Sequence, residues 1–175
     1  MFDNISIIGR IAYGICCLES CILTFGFPKN EWKIVFSWLW SIDKVKYIDD
    51  WTYAAIECLP ECILEFSTYD SDWQYINEYV YKHLHKLYSN CPKKDEINEV
   101  LYCISEICGC HLYTGVTKPA TDSLCVLNNE LIPLLKKINV PLPNIEYFKK
   151  FTIDENHCWG ANISRNMIDI PYEFA

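Results

Sequence analysis

The chain has 175 residues, a length that suits one domain and buries a sizeable core without staples. Its composition is 51% apolar and 22% charged, which excludes a disordered chain. A net charge of −8 argues against a nucleic-acid binder, which needs cations to neutralise phosphates, and is compatible with a basic partner or with plain solubility.

Twelve tyrosines and six tryptophans exceed what one core can hold, so some are expected to line a surface, where an apolar ring with a polar tip serves binding. Eleven cysteines suggest a disulfide framework until their positions are read. The count is odd, and most lie inside apolar runs such as "GICCLESCIL" and "YCISEICGC", where a thiol behaves as a small buried hydrophobe. The stretch "MFDNISIIGR" carries Asp3 before any base and has no cationic n-region, so no secretory signal is expected. The expectation is a cytoplasmic protein with free thiols.

Along the chain the spacing is helical. Ile8, Ile11, Ile15, Leu18 and Ile22 form one apolar stripe, stopped by Gly26 and Pro28. The apolar run from Ile11 to Phe27 is interrupted by Glu19 and falls short of the ~20 residues of a bilayer span, so a core helix is predicted rather than a membrane segment. Asn30 is the expected N-cap of a short second helix, "EWKIVFSWLWSI". Its Trp32, Trp38 and Trp40 cannot share one face, so this helix is either deeply buried or partly an interaction surface. Asp49 or Asp50 is the expected cap of a third helix, "WTYAAIECLPECILEF", and Pro60 in its middle predicts a kink or two short helices meeting. "TYDSDW" reads as a turn, with Asp70 or Ser71 capping a helix whose stripe is Trp73, Ile76, Val80, Leu84 and Leu87.

"SNCPKKDE" separates that helix from a fifth, with Ile97, Val100, Leu101, Ile104 and Ile107 on its stripe. Gly109, Gly115 and Pro119 bracket a loop containing His111 and Tyr113. Leu124, Leu127, Leu131, Leu134 and Ile138 mark a sixth helix with Pro133 inside it. "VPLPN" is a break, "IEYFKKF" a last short helix, and "NISRNMIDIPYEF" an extended tail, because Pro171 and the small polar residues disfavour helix. The predicted fold is all-α: one domain over residues 1–175, an irregular antiparallel helical bundle or short helix-pair array, with about 152–175 as an irregular C-terminal loop and extended tail.

Candidate chemistry is sparse. Cys108, Cys110 and His111 in "CGCH" and the pair His157–Cys158 lack the usual zinc spacing, so no metal is expected. His83 and His85 are two apart on a helix and point to different faces. No phosphate-cradling glycine loop and no nucleophile-elbow motif occurs, so no cofactor and no catalytic residue is predicted. "ENHCWGANISR" reads as a plug: Trp159 packs back on the body, Gly160 permits a sharp turn, and Arg165 pairs with a carboxylate or a helix C-terminus. What remains is surface. In "SIDKVKYIDDW", "STYDSDWQY" and "TIDENHCWG" acidic residues cluster with aromatics, and the candidate partner-binding residues are Asp49, Asp50, Asp70, Asp72, Trp73, Asp154 and Glu155. The alternative is that Trp51 and Trp73 are the first core residues of their helices.

Trp51, "ECLPEC" (Glu57 to Cys62) and "CWGANISR" (Cys158 to Arg165), in an acidic all-helical chain without a catalytic motif, carry a resemblance. The chain resembles the helical immunity proteins of bacterial polymorphic toxin and contact-dependent growth inhibition systems, diffusely over most of its length. The resemblance implies a non-enzymatic inhibitor that binds a cognate toxin domain, commonly a nuclease, and blocks its active site. No residue-level site is carried over. Two readings from other classes stay open: a small cytosolic enzyme using Cys158 or His157, and a helical-repeat adaptor binding another protein.

Overall fold

The computed structural model describes residues 1–70 and 72–169. The α-helices are α1 (Ile7–Thr24), α2 (Lys33–Leu39), α3 (Ile48–Glu57), α4 (Pro60–Glu65), α5 (Glu78–Ser89), α6 (Lys94–Gly109), α7 (Thr121–Cys125) and α8 (Ile132–Lys137). Among the described residues there is no strand, and a lone antiparallel bridge joins Ile5 to Thr152. The fold is all-α, around one continuous apolar cluster that runs in sequence from Phe2 to Ile168.

Helix α1 is the axis. Ser6 caps its start by accepting from the Gly9 N–H. Its end is a Schellman turn: Gly26 takes φ +71°, Gly26 N–H donates to Leu23 and Phe27 N–H donates to Ile22. Every residue from Ile7 to Ile22 is buried, so the helix is covered all round rather than along the single stripe its spacing suggests. Its apolar length and composition suffice to cross a membrane, and 89% of that stretch is enclosed within the protein itself. Helix α6 is its main neighbour, and α6 also meets α3, α4 and α7. The approach is close at Gly14, where an added Cβ would sit 3.0 Å from Ile104.

All-round burial encloses two charges. Arg10 donates to the carbonyls of Phe2, Pro119 and Ala120 and to Ser123 Oγ. Burial lowers its pKa to about 10, so it remains charged at neutral pH. Glu19, with no exposed surface, accepts from Arg165 Nε at 2.9 Å and Nη2 at 3.1 Å, and from the Trp40 indole at 3.3 Å. The sequence-level pairing of Arg165 with a carboxylate is thus realised.

Pro60 acts as expected, and Pro133 shapes the chain in a different way. Pro60 opens α4 at its first turn, so "ECLPEC" is the junction of two short helices. Pro133 lies just after a π-helical turn, Val126–Leu131, that joins α7 to α8. A proline cannot donate to the carbonyl four residues back and its ring crowds it; a widened turn accommodates both defects. Beyond that turn the buried position is Leu135, while Leu134, on the predicted stripe, is half-buried. Helix α8 ends as α1 does, with Asn139 at φ +56° and Val140 N–H donating to Leu135.

Other boundaries differ from expectation. Asn30 lies inside a 3-10 turn, Lys29–Trp32, and does not cap α2. Tyr47 precedes α3, so neither Asp49 nor Asp50 is its cap; both occupy the first turn, where they meet the positive end of the helix dipole. Asp70 is not the cap of α5 and Ser71 lies outside the described residues. Asn77 has that role, accepting from Val80 N–H, and Trp73 therefore sits in the preceding loop. "IEYFKKF" holds only a 3-10 turn, Ile145–Tyr147. The predicted extended tail contains a 3-10 turn at Arg165–Met167, and residues 170–175 lie outside the described residues.

The C-terminal segment closes over the start of α1, where helix N–H groups lack intrahelical partners. Ser6 N–H donates to Phe151, Ile8 N–H to Trp159, and Ile153 N–H to Asn4. Asn156, His157 and Cys158 all have positive φ (46°, 51° and 75°), an unfavourable run for side-chain-bearing residues. The surrounding bonds fix it: Asn156 Nδ2 and the Gly160 and Trp159 amides all bond within the loop. Gly160 is required on two grounds, its φ of +82° and the 2.3 Å that would separate an added Cβ from Ser6 Oγ.

The ion pair in this closure yields a prediction. Burial raises the Glu19 pKa and Arg165 pulls it back. Arg165→Ala leaves Glu19 buried without its cation and should destabilise the fold by about 3–5 kcal/mol at neutral pH. Because Glu19 holds its proton more tightly folded than unfolded, its contribution is fully present below the unfolded value and is lost as pH rises through the folded value. The cost of the substitution should therefore shrink as pH falls and Glu19 protonates. Urea unfolding across pH 4–8 measures this, and a cost independent of pH would contradict the assignment.

Candidate functional site

The exposed side of α3 organises the candidate site. Trp51, Thr52, Ala54 and Ala55 face inward; the Trp51 indole donates to the Leu39 carbonyl and its ring stacks on Trp38 at 5.5 Å. Asp49, Asp50, Tyr53, Ile56 and Glu57 fall at three- and four-residue spacing on the outer side. Tyr53 and Ile56 are exposed there.

Two loops complete this face. The end of the chain between α4 and α5 is clasped by one carboxylate: Glu57 accepts the backbone N–H groups of Gln74, Tyr75 and Ile76 at 2.9, 2.9 and 3.1 Å. That docking lays the exposed Tyr75 ring on Tyr53 at 5.9 Å. Desolvation, followed by the charges of Asp50 and Asp49, pushes the Tyr75 phenol up. From the loop after α6, Tyr113 donates to Asp49 Oδ2 at 2.9 Å and lies 3.5 Å from the Tyr53 hydroxyl.

At the other end of the face a cavity of about 230 Å³ opens between α4 and the loop. Ile56, Cys62, Phe66 and Trp73 wall it, and Glu57, Glu65, Asp70 and Asp72 complete its lining. Phe66 and Trp73 meet nearly at right angles, 86°, with centroids 6.1 Å apart. Tyr81 supports both: its ring packs on Trp73 at 5.2 Å and its hydroxyl donates to the Phe66 carbonyl at 2.6 Å. Asp70 Oδ1 accepts the Asp72 N–H, which turns the loop back on itself.

Of the candidate residues, Asp49, Asp50, Asp70, Asp72 and Trp73 are thus joined into one face through Ile56 and Glu57. Asp154 and Glu155 are not. Asp154 pairs with Lys118, and no hydrogen bond or ring contact among the described residues ties either to α3. Tyr53, Ile56, Glu57, Phe66, Tyr75 and Tyr113 belong to the face and were missed. The helical spacing from Asp49 to Glu57 could have indicated the first three; nothing local in sequence links Tyr113 to Asp49.

The cysteine and histidine residues are dispersed. His157 is exposed and Cys158 buried, with no hydrogen bond between them. Cys108 Sγ accepts from Thr52 Oγ1, and His111 Nε2 lies 2.8 Å from Ser123 Oγ inside the body. All eleven cysteines are unpaired. Burial pushes the thiols of Cys21, Cys58, Cys103, Cys108 and Cys110 up to about 12, toward the protonated form. Among the described residues no group of three or more histidine, cysteine or acidic side chains is placed to hold a metal ion. In comparisons with protein families, with curated proteins and with solved structures, nothing matches this chain.

Glu57→Ala should release the loop that carries Trp73 and Tyr75. Three charge-assisted bonds at a half-buried position resemble a helix cap, so the loss is on the order of 1–2 kcal/mol. Amide hydrogen exchange at Gln74, Tyr75 and Ile76 should accelerate while α1 and α6 keep their protection. Unchanged exchange at those three amides would show that other contacts hold the loop.

Proposed function

We propose that this chain is an immunity-type inhibitor, a protein that binds a basic toxin domain and blocks its active site sterically. The observation that carries the reading is the α3 face. It gathers the exposed Tyr53, Ile56, Phe66, Tyr75 and Tyr113 with Asp49, Asp50, Asp70 and Asp72 on the outer side of a helix whose inner side is buried. Aromatic anchors within a polar, charged rim make an interface, and a rim of one sign selects a partner of the opposite sign. A nuclease toxin domain has cations where it meets phosphate, and an acidic cover over them excludes the substrate. Blocking of this kind needs no nucleophile in the inhibitor.

The test is co-expression and co-purification with the product of the gene directly upstream, the expected position of a toxin. Complex formation should have an on-rate that falls steeply with salt, since rim charges are screened over roughly 8–10 Å at physiological ionic strength. Asp70→Lys with Asp72→Lys should slow association at least several-fold. Both carboxylates are exposed and neither caps a helix, so stability should fall only by the one bond Asp70 makes to the Asp72 amide, about 0.5–1.5 kcal/mol. Cys158→Ala should keep protection intact. Loss of protection by a folded Cys158→Ala variant that still binds would replace the inhibitor with an enzyme, and failure to bind that gene product would favour an adaptor for another protein.

A further inference from the structure

We infer that the cavity between Phe66 and Trp73 is a receptor for one guanidinium group, an arginine side chain offered by the partner. This deepens the docking reading above and rests on it. The walls are suited to a flat cation. Phe66 and Trp73 form a near-perpendicular aromatic corner, held in place from beneath by Tyr81. Indole is the strongest of the side-chain rings for cations, and guanidinium, planar and weakly hydrated, stacks on such rings while its N–H groups point sideways. Glu65, Asp70 and Asp72 provide acceptors around that corner.

The charge balance points the same way. Elsewhere on the surface lysines neutralise nearby acids, as in Lys82–Glu78, Lys93–Glu96 and Lys149–Glu146. None of the four carboxylates lining this cavity forms an ion pair with a described residue. Glu57 is committed to backbone amides and Asp70 in part to the Asp72 amide, which leaves Glu65 and Asp72 with open acceptors beside the rings. Gathered carboxylates repel one another, and an entering cation relieves that repulsion while covering the aromatic corner.

The experiment is a nitrogen-15 correlation NMR titration of the whole chain at constant ionic strength. The probes are N-acetyl-arginine amide, its neutral isostere N-acetyl-citrulline amide, and N-acetyl-lysine amide. Arginine amide should give saturable shifts at the Trp73 indole N–H and at the amides of Phe66, Asp70 and Asp72, with citrulline amide at least fivefold weaker. Trp73→Leu, which keeps every carboxylate, should weaken arginine amide about fivefold, the scale of one cation–π contact. If Trp73→Leu fails to fold, Glu65→Gln with Asp72→Asn keeps the rings and should weaken it comparably. Equal shifts from citrulline amide, equal affinity for lysine amide, or unsaturated shifts spread equally over Asp49, Asp50 and Glu146 would each overturn the proposal. No partner protein enters this titration. A failure here with complex formation intact removes the receptor alone, and saturable arginine binding without any complex removes the inhibitor reading alone.

Discussion

Burying a helix on every side while it carries an arginine and a glutamate is the constraint around which this fold is arranged. Each charge in α1 must meet partners brought from elsewhere in the chain, since an uncompensated buried ion is strongly destabilising. Arg10 meets backbone carbonyls rather than an acid. Three carbonyls and a hydroxyl share its charge, and they come from the N-terminal segment, from the junction before α7 and from α7 itself. Glu19 meets an arginine 146 residues later. The two charges thereby specify where both the loop after α6 and the C-terminal segment must lie.

That specification reaches the surface. Ser123, bound by Arg10, also contacts His111, two residues before Tyr113. Tyr113 in turn bonds Asp49 on α3. On its inner side α3 is fixed by Trp51, fully enclosed between the Leu39 carbonyl and the Trp38 ring. Asp49, Asp50 and Tyr53 therefore stand on a helix whose inner face is immobilised by packing, and side chains supported in this way would lose little freedom on being covered.

Helices with strong apolar periodicity were legible in the sequence. Ile97, Val100, Leu101, Ile104 and Ile107 are all buried as their spacing predicts, and Pro60 marks a true junction. Start positions were less legible. Aspartates before an apolar run look like caps, yet Tyr47 precedes α3, and Asn77 caps α5, directly after the amides that Glu57 clasps. The π turn escaped detection because spacing by three and four does not register an added residue. The α3 face was half visible. Asp49, Asp50, Asp70, Asp72 and Trp73 share a local pattern of acid beside aromatic, which Asp154 and Glu155 share as well. Only the fold separates the two groups, through a carboxylate that grips a loop 17 to 19 positions away.

The closure of residues 151–165 over the beginning of α1 has a consequence for synthesis. A ribosome releases the chain in the N-to-C direction, so α1 emerges well before the segment that covers it. Until residues near 160 are available, Ile8 N–H lacks its acceptor and Glu19 lacks Arg165. Contacts spanning nearly the whole length carry a large loop-closure entropy and form late. Sealing of α1 on all sides therefore has to follow synthesis of residues 151–165.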